Sequence, residues 1–228
     1  MNHGLILPIL LPMLAGSLLL VRSYLSLRVK RVLSLIVTWA LLPISIWLLT
    51  QANGGELQLY ALGNWQAPFG IVLMLDRLSA LMLVTTAVLA GFAMLYAVRG
   101  DDERGPNFHA LFQFQLLGIN GAFLTGDLFN LFVFFEILLI ASYSLLVYGG
   151  GAQRVKTGVH YVVLNLVASS LFLIGIGILY GLLGTLNLAD LALKIAEADA
   201  ERQPLLAAAG FLLPVSYTHL TLPTIYSV

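Results

Sequence analysis

Long apolar runs dominate the chain, at roughly 4–21, 31–49, 71–98, 108–125, 128–148 and 159–183, and a seventh begins near 204. About 20 such residues, rising 1.5 Å each as a helix, cross a hydrocarbon core of about 30 Å. Inside hydrocarbon a segment must satisfy its own backbone polar groups, which a lone helix does and an open strand does not. Only 10% of the 228 residues are charged, against about 25% in ordinary soluble domains, too few to coat a soluble surface of this size. The expected fold is therefore all-α, a polytopic membrane helical bundle of six full spans and the start of a seventh.

The first run does not read as a signal peptide. Its leading residues Met1 to Gly4 hold no Lys or Arg and no small-residue cleavage pattern stands out, so it is expected to stay as a helix, bent at Pro8 and Pro12. Loop charges then orient the chain. Arg22, Arg28, Lys30 and Arg31 lie between spans one and two, Arg99 and Arg104 between three and four, and Arg154 and Lys156 between five and six. The alternate loops hold only Lys194 and Arg202, with Arg77 at the start of span three. The positive-inside rule places the eight on the cytoplasmic side of the inner (plasma) membrane and the N-terminus outside. Between spans six and seven, 188–201 alternates apolar and charged residues at helical spacing, with Leu188, Leu191, Ile195 and Ala198 on one face. It reads as an amphipathic helix on the outer surface, or as a small solvated cap.

The absent parts exclude much chemistry. Eleven basic and eleven acidic residues cancel, so no nucleic-acid partner is implied. No cysteine is present, which removes disulfides, thiolate metal sites and iron–sulfur clusters. The sequence lacks a phosphate-binding loop, a dinucleotide fingerprint, a zinc-protease motif and a serine elbow. Gly149-Gly150-Gly151 reads as a turn, and His3, His109, His160 and His219 lie in loops or near span ends, leaving no mid-span pair for haem. No cofactor, metal or enzymatic activity is expected.

One residue stands against that apolar background. Glu136 is the only acidic or basic residue of the fifth span, eight residues in from Leu128 and near mid-membrane. A charge there costs about 2.5–3.5 kcal/mol on insertion scales, so such groups usually face a partner or a wet cavity. Desolvation favours the neutral acid and a nearby cation favours the anion, and a carboxyl held between the two can load and release a proton. The structural alternative is a neutral Glu hydrogen-bonded for helix packing. Asp127, nine residues earlier, is half a turn off in azimuth and reads better as a helix cap than as an ion ligand. Asp76 reads similarly, ahead of Ser79. Gln113 and Asn120 share a face of span four, as Asn165 and Ser169 do of span six, and could hold a water chain or join helices equally well. His160, one turn after Lys156, could pass protons at the cytoplasmic end or be merely interfacial. Gly177-Ile-Leu-Tyr-Gly181 reads as a plain helix contact.

The string Gly126-Asp-Leu-Phe-Asn-Leu-Phe-Val-Phe-Phe-Glu136-Ile-Leu-Leu-Ile-Ala-Ser-Tyr-Ser-Leu resembles the D-type component of Mrp-type monovalent cation/proton antiporters. These are relatives of the proton-pumping membrane subunits of respiratory complex I. Leu75-Asp-Arg-Leu-Ser-Ala80, Tyr161-Val-Val-Leu-Asn-Leu-Val-Ala-Ser-Ser-Leu-Phe-Leu and Gly184-Thr-Leu-Asn-Leu-Ala-Asp190-Leu extend the likeness, which runs to about Leu213. The resemblance implies a longer fold of about fourteen helices with inverted repeats and broken helices, of which this chain carries the N-terminal part. It also implies that Glu136 is the functional carboxylate of the first repeat, working with a Lys beyond the 204 segment, inside a hetero-oligomeric membrane complex that exchanges protons for sodium or another monovalent cation. The expected organisation is 1–203 for the six spans and the surface helix, 204–214 for the start of the seventh, and 215–228 as a tail foreign to the family, with no function on Tyr217 or His219. Two alternatives stay open: a proton-pumping subunit of an NADH–quinone or hydrogenase complex, and a non-transporting membrane scaffold.

Overall fold

The structure, a computed structural model, describes the chain except residues 1–2, 23, 56, 66–69, 106, 200 and 219–228, and the side chains of 153 and 214–218. Eight helices and one hairpin carry the described residues: α1 (Leu7–Val21), α2 (Leu27–Ala52), β1 (Gln58–Ala61), β2 (Val72–Leu75), α3 (Arg77–Ala97), α4 (Phe108–Leu124), α5 (Leu128–Leu146), α6 (Ala152–Leu183), α7 (Leu188–Ala196) and α8 (Gln203–Thr218). Five helices are long and apolar enough to cross a membrane: His3–Val21 (α1 with the 3₁₀ turn before it), α2, α3, α5 and Arg154–Leu183 of α6. This is a mostly helical, multi-pass membrane protein.

Several expected boundaries move. The run 71–98 is not one helix: Val72–Leu75 is extended and pairs with β1, alternating between partly and fully buried positions. The helix starts only at Arg77, because Asp76 closes a capping box there. Its carboxylate accepts from Ser79 N at 2.6 Å while Ser79 Oγ accepts from Asp76 N at 2.9 Å. The hairpin escapes a reading by composition because a four-residue apolar strand is indistinguishable that way from a helical turn. The expected span at 108–125 is the 17-residue α4, about 25 Å at 1.5 Å per residue and shorter than the five. α6 begins seven residues before the expected 159, carrying Arg154 and Lys156 on its exposed first turns. It ends where Gly184 takes a left-handed φ of 68°. The amphipathic segment is helical only over Leu188–Ala196, started by Asn187 Oδ1 accepting from Ala189 N and Asp190 N. His219 and most of the 215–228 tail lie outside the described residues, and α8 itself runs to Thr218.

The chain forms two compact units. The first comprises Met1–Tyr60, Leu73–Thr125 and Phe134–Gly150. In it α1 lies antiparallel to α4, with Gly16 against Phe114 and Pro8 against Asn120, and α2 runs alongside α4 in the same direction, with Thr38 at Gln113. Its apolar core joins Leu41, Ala87, Ala90 and Leu116, with Leu11, Leu42 and Phe112 around them. The second comprises Ala61–Val72, Gly126–Val133 and Gly151–Val228. There α6 packs on α8 through Gly175, close to the Ala209 carbonyl, around a core of Leu128, Phe172, Ile176, Leu179, Leu191, Leu206 and Ala209. Residues 126–128 pair with 186–188 through Leu128 N to Leu186 O and Leu188 N to Gly126 O, both 2.9 Å.

Candidate functional site

Glu136 sits two turns into α5, and its Oε1 is buried with no hydrogen-bond partner among the described residues. α5 meets α4 through Phe134 and Leu138. A Cβ on Gly118 would lie 2.7 Å from Leu138 N, and one on Gly121 would run into the Phe134 ring. Glu136 is two residues, about 200°, from both contact residues, so it projects from the side of α5 opposite α4.

The polar residues of α4 therefore do not join it. Gln113 and Asn120 share a buried face of α4, turned toward α2 and α1. Gln113 Nε2 donates to Thr38 Oγ1 at 3.0 Å. Asn120 Nδ2 donates to the Pro8 carbonyl at 2.9 Å, the carbonyl that Pro12, four residues on and lacking an N–H, cannot bond. That interaction lets α1 run through Pro12 as one helix. It gives Asn120 a structural task.

In the second unit Asn165 is buried. Its Nδ2 donates to the Tyr161 carbonyl at 2.9 Å and its Oδ1 has no partner among the described residues. Ser169 is buried one turn on, whereas His160 is exposed. Asp127 is buried at the start of α5, where its Oδ1 accepts from Asn130 N at 2.9 Å. Burial pushes its carboxyl above the ordinary range and the N–H groups of Asn130 and Phe129 pull it back. Among the described residues nothing lies within 4 Å of a Cβ built on Gly177 or Gly181. The close-packing glycines are Gly118 and Gly121.

One polar cluster in the first unit is not evident from the sequence. Arg31 grips Asp102 through Nε at 2.6 Å and a terminal nitrogen at 2.8 Å, and the same nitrogen reaches Glu103 at 2.8 Å. His109 Nε2 lies 3.1 Å from Asp102 Oδ2. Tyr148 OH donates to the carbonyls of Asp102 and Gly105. The Arg31 bonds hold the Asp102 carboxyl below the ordinary range against the opposing effect of burial. Lys30, Ser34, Thr38 and Ser45 are all buried on α2. The first three, at four-residue spacing, are a helical stripe that the sequence displays. By position alone, however, Lys30 and Arg31 read only as loop charges and His109 only as a span-end residue.

Residues 125–221 match the family model described as NADH:quinone oxidoreductase/Mrp antiporter, TM, a match that reaches into the 215–228 stretch. The chain is 47% identical over 222 residues to the D component of a probable K(+)/H(+) antiporter of Rhizobium meliloti (strain 1021), covering 95% of this chain and 41% of that protein. Among solved structures it resembles a chain of the archaeal membrane-bound sulfane sulfur reductase, a respiratory membrane complex, with TM-score 0.86 and 28% identity over 93% of this chain and 43% of the other. It also resembles a chain of the Mrp complex from Dietzia sp. DQ12-45-1b, with TM-score 0.83 and 29% identity over 95% of this chain and 40% of the other. The chain thus spans about two fifths of the length of each. On sequence and fold together, it is similar to members of the NADH:quinone oxidoreductase/Mrp antiporter family of membrane proteins over about two fifths of their length.

Proposed function

We propose that the chain is part of a D-type subunit of a secondary monovalent cation/proton antiporter, a transporter component rather than an enzyme, working within a hetero-oligomeric membrane complex. Glu136 is its proton-carrying group. The observation that carries this reading is a carboxyl oxygen buried in the middle of an apolar helix with no partner among the described residues. A packing Glu would be held by a hydrogen bond, because leaving a buried polar atom unmade costs about 1–3 kcal/mol. The high identity to the D component of an antiporter supports the same assignment. Asn165, with its own unpartnered oxygen, and the exposed His160 are secondary members of the pathway. We read α4 and α8 as further membrane-crossing segments, which restores the expected six spans and the start of a seventh, with α7 on the outer surface and the N-terminus outside.

The likeness to a respiratory complex chain supports a second reading, in which the same carboxyl moves protons driven by redox chemistry elsewhere. Both are tested with the full-length subunit in its assembled complex. Membrane vesicles are pulsed with sodium or potassium in the absence of any electron donor, and proton movement is followed. Exchange by the wild type supports antiport, and its absence favours the redox-driven reading. Glu136→Gln keeps the volume but removes the titrating proton. It should leave assembly intact and abolish exchange, with partial activity for Glu136→Asp. Exchange at the normal rate in Glu136→Gln would leave the scaffold reading.

A further inference from the structure

We infer that the first unit holds a second site, a hydrated proton-binding pocket between α2 and α4 in which His109 exchanges protons with the basic-loop side of the protein through Asp102. Three neighbouring side chains there are at most 2% exposed, and each presents a polar atom without a partner among the described residues: Ser34 Oγ, His109 Nδ1 and Gln113 Oε1. They are one cluster. His109 and Gln113 are one turn apart on α4, Ser34 and Thr38 one turn apart on α2, and Gln113 Nε2 bridges the helices, 3.0 Å from Thr38 Oγ1 and 3.5 Å from the Ser34 carbonyl. Buried polar atoms are almost always satisfied, and three unsatisfied ones at one place are what bound water answers, since a buried water needs two to four polar partners.

The pocket has a mouth and a floor. At the mouth, Asp102 bonds His109 Nε2 and also lines a surface cavity of about 340 Å³ with Leu25, Leu27, Lys30, Glu103 and Gly105. At the floor, the next turns of α2 and α4 beyond Thr38 and Gln113 carry Leu41 and Leu116, members of an apolar cluster with Ala87 and Ala90, and the proposed site ends there.

The imidazole suits this task. Neutral, its Nδ1 accepts from the pocket water; protonated, Nδ1–H donates to that water and Nε2–H to Asp102. Asp102 meets the imidazole from the α3–α4 loop, α2 brings Lys30 and Arg31 to the same end, Glu103 is engaged with Arg31, and Tyr148 bonds the loop's backbone carbonyls. Both oxygens of Asp102 are already bonded to Arg31, and its Oδ2 is shared with His109 Nε2. An ion-pair clamp alone would need Arg31 and Asp102 but would leave the three unpartnered atoms without a cause.

The inference is independent of Glu136 and its test requires no transport. In the full-length subunit within its complex, deuterium exchange at the imidazole C2 of each histidine is followed against pH by mass spectrometry. His109 should exchange, with a sigmoidal pH dependence, despite its burial. Joint Ser34→Ala and Gln113→Leu substitution, which removes the water's partners and keeps the Arg31–Asp102 pair, should slow His109 several-fold and leave the exposed His160 unchanged. Asp102→Asn, which removes the imidazole's carboxylate partner, should displace the His109 midpoint and leave that of His160 in place. Absence of His109 exchange in the wild type would overturn the proposal, as would an unchanged His109 rate in the assembled Ser34→Ala, Gln113→Leu variant.

Discussion

Asn120 and Pro12 are 108 residues apart, yet the carbonyl of Pro8 ties them together. A proline inside a helix removes the hydrogen bond to the carbonyl four residues earlier, and in a buried setting that carbonyl needs another donor. The Asn120 amide supplies it, at a position only 3% exposed. Asn120→Leu should therefore destabilise the protein by about 1–3 kcal/mol, the cost of an unmet buried acceptor. In a Pro12→Ala background, where the restored backbone N–H at position 12 can bond the Pro8 carbonyl, most of that cost should vanish. A double-mutant cycle on thermal unfolding in detergent measures the coupling directly. Equal costs in the two backgrounds would mean that Asn120 acts elsewhere, and the proton-pathway reading for this residue would regain its ground.

Among the helices, glycine marks close approach only where something approaches. A Cβ on Gly118 would press on the backbone of Leu138, which cannot swing aside, and one on Gly121 on the Phe134 ring. Gly118→Ala should cost about 1–3 kcal/mol as an overpacked contact and loosen the seam between α4 and the helix that carries Glu136. Gly177→Ala, in open space, should be neutral or slightly stabilising through helix propensity. Melting temperatures of the two variants decide it. The sequence alone points to Gly177 and Gly181 and passes over Gly118 and Gly121, because GxxxG is a pattern, whereas close packing depends on what stands opposite. The same division runs through the rest of the fold. Hydropathy reveals the helices because insertion into hydrocarbon is decided segment by segment. It cannot separate Val72–Leu75 from α3, since only pairing with β1 makes that run extended. Glu136 is legible because a lone carboxylate in an apolar span has no cheap explanation. Asp102 and His109 are not, because their meaning comes from Arg31, 71 residues before Asp102.

At the scale of the whole chain, the charge pattern and the first unit's geometry agree on which loops share an end. Arg31, at the start of α2, binds Asp102 and Glu103 of the α3–α4 loop, and Tyr148, just past α5, bonds that same loop. The start of α2, the α3–α4 loop and the end of α5 are thus drawn together. At the other end, Arg77 donates to the Asn53 carbonyl at 3.0 Å, and Leu73 bridges to Thr125 at the end of α4. α4, though the shortest helix of that unit's bundle after α1, connects the two ends, so it must cross if its neighbours do. Were it to lie on the surface, every loop after it would exchange sides, and Tyr148 would part from the Asp102 loop that it bonds. The orientation proposed above, which follows the positive-inside rule, has the basic end in the cytoplasm. Single cysteines at Asn53 and Gln153, introduced into a chain that has none of its own, should react with a membrane-impermeant maleimide from opposite sides. Position 53 should label in intact cells and position 153 only after permeabilisation. Labelling of both in intact cells would require α4 not to cross, and labelling of position 153 alone would invert the orientation while leaving the arrangement of helices intact.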